Sequence, residues 1–229
     1  MTDIHPSASR GALFDLNGTV VDDMHVHGEI WREVAREYGR DLPASVFIRD
    51  WAGAKYDEVL RRIVGRPLED AEVRSVLSAR EERYRSLFPS RVREVAGCSA
   101  FVMRLRAAGM PLAIATSSPR AAREFVLRAL GLESAFDRVV GAESVTRGKP
   151  APDLFLAAAA ALGVPPQTCV VFEDAVAGIE AARAAGMRAV GVASVLSTGE
   201  LLEAGATWAI TDFLRIPDDL LAALGLAVA

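Results

Sequence analysis

Short apolar runs alternate along the chain with longer segments of mixed polarity, and this pattern predicts its secondary structure. The apolar runs predict strands at about 12–16, 112–116, 139–140, 169–172, 189–192 and 208–210. Apolar residues recur at helical spacing between the strands. This spacing predicts a helix that follows residue 97 and ends at residue 108, helices at 121–130, 152–162 and 175–185, and a helix at the C-terminus. Strands that alternate with helices are typical of a doubly wound parallel sheet, so we expect an α/β fold.

The segment between Met24 and Arg93 breaks this alternation. It contains no strand pattern but predicts helices at 24–38, 56–64 and 68–88. We therefore predict an α/β core domain of residues 1–22 and 94–229 and an inserted all-helical domain of residues 23–93. The first ten residues are polar and predict a loose leader, and Gly109 and Gly186 stand where helices are expected to end.

Composition excludes several classes of protein. The chain has 229 residues, of which 51% are hydrophobic and 24% charged, enough for one sizeable core. A net charge of -4 gives no electrostatic footprint for nucleic acid or an acidic membrane surface, and no apolar run is long enough to span a bilayer. Cys98 and Cys169 are far apart and no signal peptide precedes them, so we expect a cytoplasmic protein without a structural disulfide.

Two groups of residues that follow predicted strands are suited to phosphate chemistry. Asp15 ends the first strand, where it could accept a phosphoryl group as a nucleophile, and Gly18 lets the backbone approach a ligand closely. An isolated Asp in such a place also commonly caps a turn. Thr116, Ser117 and Ser118 offer hydroxyls and free amides before a helix start, which suit a phosphate but are also ordinary N-cap residues.

Charged residues complete this chemistry. Only Lys55 and Lys149 are lysines among 26 basic residues, and Lys149 lies between a glycine and a proline just before a helix, where its ammonium could neutralise a phosphoryl group. Glu173 and Asp174 end a buried strand, where unpaired acids are costly. Together with Asp15 they would form an all-oxygen site that suits Mg²⁺, although a helix-capping role would account for one of them.

Taken together and in this order, four segments resemble the motifs of the haloacid dehalogenase superfamily, in particular its β-phosphoglucomutase-like phosphatases and mutases with a helical cap. The segments are Phe14-Asp15-Leu16-Asn17-Gly18-Thr19, Thr116-Ser117-Ser118, Lys149-Pro150 and Phe172-Glu173-Asp174. The resemblance implies that Asp15 is the nucleophile and a metal ligand, and that Thr116 and Lys149 hold the phosphoryl group. It also implies that Asp174 binds Mg²⁺ with support from Glu173.

The first motif departs from the family pattern at one position. The family has a second Asp there, which donates and accepts protons, whereas this chain has Asn17. The resemblance implies that position 17 gives its backbone carbonyl to the metal, so metal binding should survive. Loss of general acid–base catalysis typically slows a reaction about 10²- to 10⁴-fold, so we expect slow hydrolysis that is fastest for esters with acidic leaving groups.

The resemblance also points to two residues in the helical insert. His27 supports proton transfer in the mutases, so it is either a substitute for the missing Asp or a histidine on a helix face. Lys55 lies in the cap loop that faces the active site, beside Tyr56, which stands where the family has a phosphate-binding Arg. We therefore consider Lys55 a candidate phosphate ligand.

These observations lead to one principal hypothesis and three alternatives. We expect a Mg²⁺-dependent phosphatase or phosphomutase acting on a small phosphorylated metabolite, such as a sugar phosphate, as a monomer or weak homodimer. The first alternative is a phosphometabolite-binding or regulatory protein without turnover. The second is carbon–phosphorus cleavage, as in phosphonoacetaldehyde hydrolases, with Lys55 forming a Schiff base. A haloacid dehalogenase proper fits least, since it would not need Glu173 and Asp174.

Overall fold

A computed structural model describes residues 10–227, so the predicted leader lies outside the described residues except for Arg10. The strands within that range are β1 (Gly11–Phe14), β2 (Val21–Asp22), β3 (Arg93–Glu94), β4 (Leu112–Thr116), β5 (Arg138–Gly141), β6 (Cys169–Glu173), β7 (Arg188–Val192) and β8 (Trp208–Ile210). Six of them form a parallel sheet in the order β5-β4-β1-β6-β7-β8. The predicted α/β fold with a parallel sheet is confirmed.

The described helices are α1 (Met24–Glu37), α2 (Tyr56–Val64), α3 (Asp70–Arg91), α4 (Cys98–Ala107), α5 (Arg120–Ala129), α6 (Asp153–Leu162), α7 (Val176–Ala184), α8 (Thr198–Glu203) and α9 (Asp218–Leu224). The sheet separates two apolar layers. Ala12 and Phe14 of β1 pack with residues of α4, α5 and α9, whereas Leu13 packs with residues of α6 and α7. Strands covered on both faces are apolar, which is why β1 is a continuous apolar run and β4 and β6 are apolar up to their last residues.

Helices α1 to α3 form the inserted cap, which has an apolar core of its own that includes Trp31, Leu60 and Ile63. Strands β2 and β3 pair antiparallel where the chain enters and leaves this insert. The helical cap is therefore confirmed, whereas the domain boundaries at 22/23 and 93/94 stay a prediction.

The structure differs from the predicted elements at several points. Strands β2 and β3 have two residues each, too few for a periodic pattern, and a π-helical turn at Val46–Asp50 precedes α2. Strand β1 ends at Phe14 because the carbonyl of Leu16 accepts bonds from the amides of Val20 and Val21 in a turn. Helix α3 continues past Pro89, a residue that usually ends a helix.

Two smaller predictions are confirmed. Gly109 and Gly186 follow α4 and α7 with left-handed φ angles of 72° and 73°, the conformation that commonly ends a helix. Cys98 and Cys169 are buried free thiols. Within residues 10–227, none of the helices is both long and apolar enough to cross a membrane.

Candidate active site

The predicted site residues meet at the carboxyl end of the three central strands. Asp15 directly follows β1, Thr116 is the last residue of β4, and Glu173 is the last residue of β6. Strand β1 lies between β4 and β6. The chain first builds β4 and β5 on one side of β1, and then crosses to build β6, β7 and β8 on the other side. Such a reversal of strand order opens a crevice in which α/β proteins bind ligands.

Lys149 links two of the carboxylates in this crevice. Its buried Nζ donates hydrogen bonds of 2.6 Å to Oδ1 of Asp15 and of 2.6 Å to Oε2 of Glu173. Burial disfavours its charge, but the two carboxylates outweigh this effect and raise the pKa of Lys149 above its usual value. Lys149 is therefore a fixed positive charge beside Asp15.

The carboxylates of Asp15, Glu173 and Asp174 form a compact buried cluster, in which one oxygen from each lies within 4.8 Å of the others. Oδ2 of Asp174 is buried without a hydrogen-bond partner. Burial raises the pKa of Asp15 to about 7, against the effect of Lys149, and burial beside Glu173 and Asp15 raises the pKa of Asp174 well above its ordinary value. One ammonium does not balance three carboxylates, so an all-oxygen site with an unpaired donor suits a hard divalent cation.

The turn after β1 is shaped around this cluster. Gly18 has a left-handed φ of 77°, and a Cβ at this position would collide with the carboxylate of Asp174. The hydroxyl of Thr19 lies 3.5 Å from Oδ1 of Asp174. On the other side, a Cβ at Gly178 in α7 would collide with the side chain of Glu173. Glycine at both positions leaves room for the two acids.

The three hydroxyl residues after β4 lie together but have different partners. Oγ1 of Thr116 accepts a 3.1 Å bond from the amide of Ser118, and the Ser117 hydroxyl donates a 2.7 Å bond to the carbonyl of Gly53 in the cap. The Ser118 hydroxyl donates a short bond to Oδ1 of Asn17. Ser117 and Ser118 therefore connect this strand end to the cap and to the first motif.

Asn17 is held by a residue that the sequence analysis did not single out. Its Nδ2 donates a 2.6 Å bond to Oδ2 of Asp23, a fully buried carboxylate that also accepts a 2.5 Å bond from the Tyr84 hydroxyl. Oδ1 of Asp23 is buried without a partner. The spacing of Asp23 and His27, four residues apart at the start of α1, was a signal that could have revealed it.

His27 reaches the site, but both of its ring nitrogens have protein partners. Nε2 lies 3.1 Å from Oδ2 of Asp23 and 3.0 Å from Nδ2 of Asn17, and Nδ1 lies 2.5 Å from a guanidinium nitrogen of Arg80. A guanidinium can only donate, so Nδ1 accepts and Nε2 donates to Asp23. The guanidinium of Arg80 itself lies over the rings of Trp31 and Tyr56, 4.5 and 4.2 Å from their centroids.

Lys55 does not line the cavity beside Asp15. Its Nζ donates bonds of 2.9 and 3.1 Å to the carbonyls of Val145 and Thr146, in the segment that leads to Lys149. In this arrangement Lys55 connects the cap to the core. Its role as a phosphate ligand therefore remains a prediction.

The cap and the core together enclose a cavity of about 50 Å³ above Asp15. The core contributes polar residues, namely Asp15, Asn17, Thr116, Ser117 and Ser118. The cap contributes His27, small residues of the 52–54 loop, and large apolar or aromatic side chains. A phosphate group fits the chemistry of the core side, and the cap side faces the rest of the ligand.

Comparisons with known proteins identify the relatives of this chain. Residues 10–186 match the family model described as haloacid dehalogenase-like hydrolase. The fructose-1-phosphate phosphatase YqaB of Escherichia coli (strain K12) is 38% identical over 184 residues, 80% of this chain and 95% of that protein. The validoxylamine A 7'-phosphate phosphatase of Streptomyces hygroscopicus subsp. limoneus is 35% identical over 205 residues, 84% of this chain and 90% of that protein.

The fold is similar to that of solved structures of such proteins. The crystal structure of β-phosphoglucomutase from Clostridium difficile has a TM-score of 0.82 at 26% sequence identity, and the match covers 95% of this chain and 97% of that one. The similarity includes both the sheet and the cap, since so little of either chain is left out.

Proposed function

Because the chain belongs to the haloacid dehalogenase-like hydrolases, we propose that it is a Mg²⁺-dependent phosphatase that hydrolyses a small phosphate monoester through an aspartyl phosphate at Asp15. The observation that carries this proposal is the ammonium of Lys149, held 2.6 Å from Asp15 and 2.6 Å from Glu173 in a buried crevice. An anionic nucleophile can attack an anionic phosphate there because fixed positive charge lies beside both.

The reaction has two steps at Asp15. Its carboxylate forms a bond to phosphorus while the ester P–O bond breaks, and the electron pair leaves with the oxygen of the leaving group. Water then attacks the phosphorus of the aspartyl phosphate, which restores the carboxylate and releases inorganic phosphate, and the protons of the water pass to the phosphate and to solvent. Two easier displacements thereby replace one difficult one.

Asp15, Asp174 and the backbone carbonyl of Asn17 would hold Mg²⁺, with Glu173 in support. The unpartnered buried Oδ2 of Asp174 and the all-oxygen donor set fit such an ion. When bound, Mg²⁺ supplies charge neutralisation for the phosphoryl oxygens. Lys149 supplies the remaining positive charge and Thr116 a hydroxyl at the same strand edge.

The cavity favours a phosphatase over a phosphomutase. A mutase must hold a second phosphate, and that needs a cation on the cap side. Among the described residues that line the cavity there is no Lys or Arg, and Tyr56 stands where the family has an Arg. Two of the relatives above are also phosphatases, which supports hydrolysis. A cytoplasmic location and a monomer or weak homodimer remain predictions.

The first test is phosphate release from p-nitrophenyl phosphate with Mg²⁺, comparing the natural chain with Asp15→Asn. We expect turnover by the natural chain and none by the variant, with a circular-dichroism melt to show that the variant folds. Binding of phosphate without turnover by either protein would favour the regulatory alternative. Equal turnover by both proteins would refute the role of Asp15.

A further inference from the structure

The cap side of the cavity is a wall of large apolar and aromatic side chains. They are Met24, Trp31, Phe47, Trp51, Tyr56 and Val59. The ring of Trp31 stacks near Phe47 at 6.5 Å and meets Tyr56 edge-on at 5.7 Å, and Phe47 meets Trp51 edge-on at 5.4 Å. Rings that pack against one another in this way form a firm surface that suits a flat apolar group.

Two polar side chains on the cap side of the cavity, Tyr56 and His27, already have partners. The Tyr56 hydroxyl lies 3.2 Å from the Ser118 hydroxyl, and the nitrogens of His27 are engaged by Arg80 and by Asp23. A sugar would bring several hydroxyls to this surface. Each hydroxyl buried without a partner costs about 1–3 kcal/mol, so the wall disfavours a polyol.

Among the described residues that line the cavity, none offers a free acid to the leaving group, since the proton on Nε2 of His27 is donated to Asp23. Asp15 is the only carboxyl group among the described residues that line it, and Asp15 is the nucleophile. Asn17 carries an amide, and burial raises the pKa of the Tyr56 phenol, which makes it a weaker acid. An alkyl ester needs a proton on its departing oxygen, whereas a phenolate can leave without one.

These two features are independent, since one concerns recognition and the other the chemical step, and both suit the same ligand. We infer that the substrate of this site is an aryl phosphate, with the ring against the aromatic wall of the cap and the phosphate against Asp15, which Lys149 contacts. The cap must move outward to admit this ligand, because the cavity of about 50 Å³ is smaller than the cavity of about 150 Å³ that holds a benzene ring. This inference rests on the proposed function. It differs from the sugar and cyclic polyol phosphates that the overall similarity alone would suggest.

Three phosphate esters and one acyl phosphate separate recognition from chemistry when phosphate release is measured with the full chain and Mg²⁺. Phenyl phosphate has both an aromatic group and an acidic leaving group. Benzyl phosphate has only the ring, acetyl phosphate only the acidic leaving group, and fructose 1-phosphate neither. We expect benzyl phosphate to match phenyl phosphate in KM. Its kcat should be lower than that of phenyl phosphate by at least about 10²-fold. We expect acetyl phosphate to keep kcat but to have a higher KM.

Fructose 1-phosphate should have the lowest kcat and the highest KM of the four compounds. A kcat/KM for fructose 1-phosphate equal to or above that for phenyl phosphate would overturn the inference while leaving the proposed function intact. Release of phosphate from none of the four compounds would overturn the proposed function. Recognition of the aromatic ring is then tested separately, by thermal shift with the Asp15→Asn variant. Stronger stabilisation by phenyl phosphate than by fructose 1-phosphate would support this recognition, and the reverse would refute it.

A variant of the wall tests recognition directly. Trp51→Leu should raise KM for phenyl phosphate about tenfold, which corresponds to the loss of one aromatic contact, and change KM for acetyl phosphate much less. Trp208→Leu, at the far edge of the sheet on β8, is the matched control and should change neither constant. An equal effect of Trp51→Leu on KM for phenyl phosphate and for acetyl phosphate would contradict recognition of the ring.

Discussion

At the scale of single residues, position 17 depends on position 23. The amide of Asn17 donates to the buried carboxylate of Asp23 over 2.6 Å and accepts from Ser118 on its other side. An Asp at position 17 would instead place a second carboxylate against Asp23, where neither oxygen has a proton to share. The amide at 17 and the carboxylate at 23 therefore fit each other.

This coupling predicts how an acid–base group can be restored. Asn17→Asp alone should be destabilised by roughly 1–3 kcal/mol, because buried acceptors face each other, and should gain little activity. The double variant Asn17→Asp with Asp23→Asn should recover stability and hydrolyse benzyl phosphate about 10²-fold faster than the natural chain. Denaturant unfolding and kcat for the natural chain, Asn17→Asp, Asp23→Asn and the double variant form a complete double-mutant cycle.

Two outcomes of this cycle would count against the coupling. One is an Asn17→Asp variant that gains as much activity as the double variant. The other is additive changes in the free energy of unfolding. A change in the ratio of benzyl to phenyl phosphate turnover separates a catalytic effect from a purely structural one, since a general loss of stability would lower both rates alike.

The sequence allowed us to predict the acids and the lysine at the strand ends, because the ends of parallel strands share one edge. It did not reveal that Asp23 holds Asn17, or that Tyr84 and Arg80 hold Asp23 and His27. Arg80 is buried in a helix that is charged along most of its length, so nothing in the pattern distinguishes it from a solvent-exposed arginine. Two of its contacts, His27 and Trp31, come from helix α1 in a distant part of the chain.

At the scale of elements, most helices and strands followed the apolar pattern, including the three-residue strand β8, whereas β2, β3 and α8 were not predicted. Helix α8 was missed, although Ser197 and Glu200 form a reciprocal capping box that is visible as Ser-x-x-Glu. Contacts between elements could not be predicted either. The loop at 52–55 contacts the core through the Gly53 carbonyl and through Lys55.

Lys55 should therefore act in closing the cap rather than in the chemistry. Lys55→Met removes two bonds to the carbonyls of Val145 and Thr146, and we expect a several-fold fall in kcat/KM with the aspartyl phosphate still formed. Lys149→Met is the control that should abolish turnover. If Lys55→Met abolishes turnover and borohydride traps an aldehyde substrate on Lys55 of the natural chain, the carbon–phosphorus alternative is correct.

At the scale of the whole molecule, the sheet supplies one half of the site and the inserted cap the other. The β2–β3 pair joins the two halves where the chain crosses between them. Three buried carboxylates and one ammonium lie at the centre of the closed molecule. The stability of the entire chain should therefore depend on a bound cation.

Mg²⁺ should raise the melting temperature of the natural chain, because an ion that binds only the folded state adds about 2.7 kcal/mol at a hundred times its Kd. Asp174→Asn should remove this rise. Without Mg²⁺ the variant should melt no lower than the natural chain, since it replaces a buried carboxylate oxygen that has no partner. Asp41→Asn, at an exposed position, is the matched control and should keep the rise. An unchanged rise in Asp174→Asn would exclude this residue as a ligand.

Covalent trapping at Asp15 tests the account most directly. The natural chain is mixed with phenyl phosphate and Mg²⁺, quenched during turnover and reduced with borohydride, which converts an aspartyl phosphate to homoserine. Peptide mass spectrometry should then find homoserine at position 15 in the natural chain and no modified residue in Asp15→Asn. Steady release of phosphate without any modification at position 15, or with modification at another carboxylate, would contradict the mechanism.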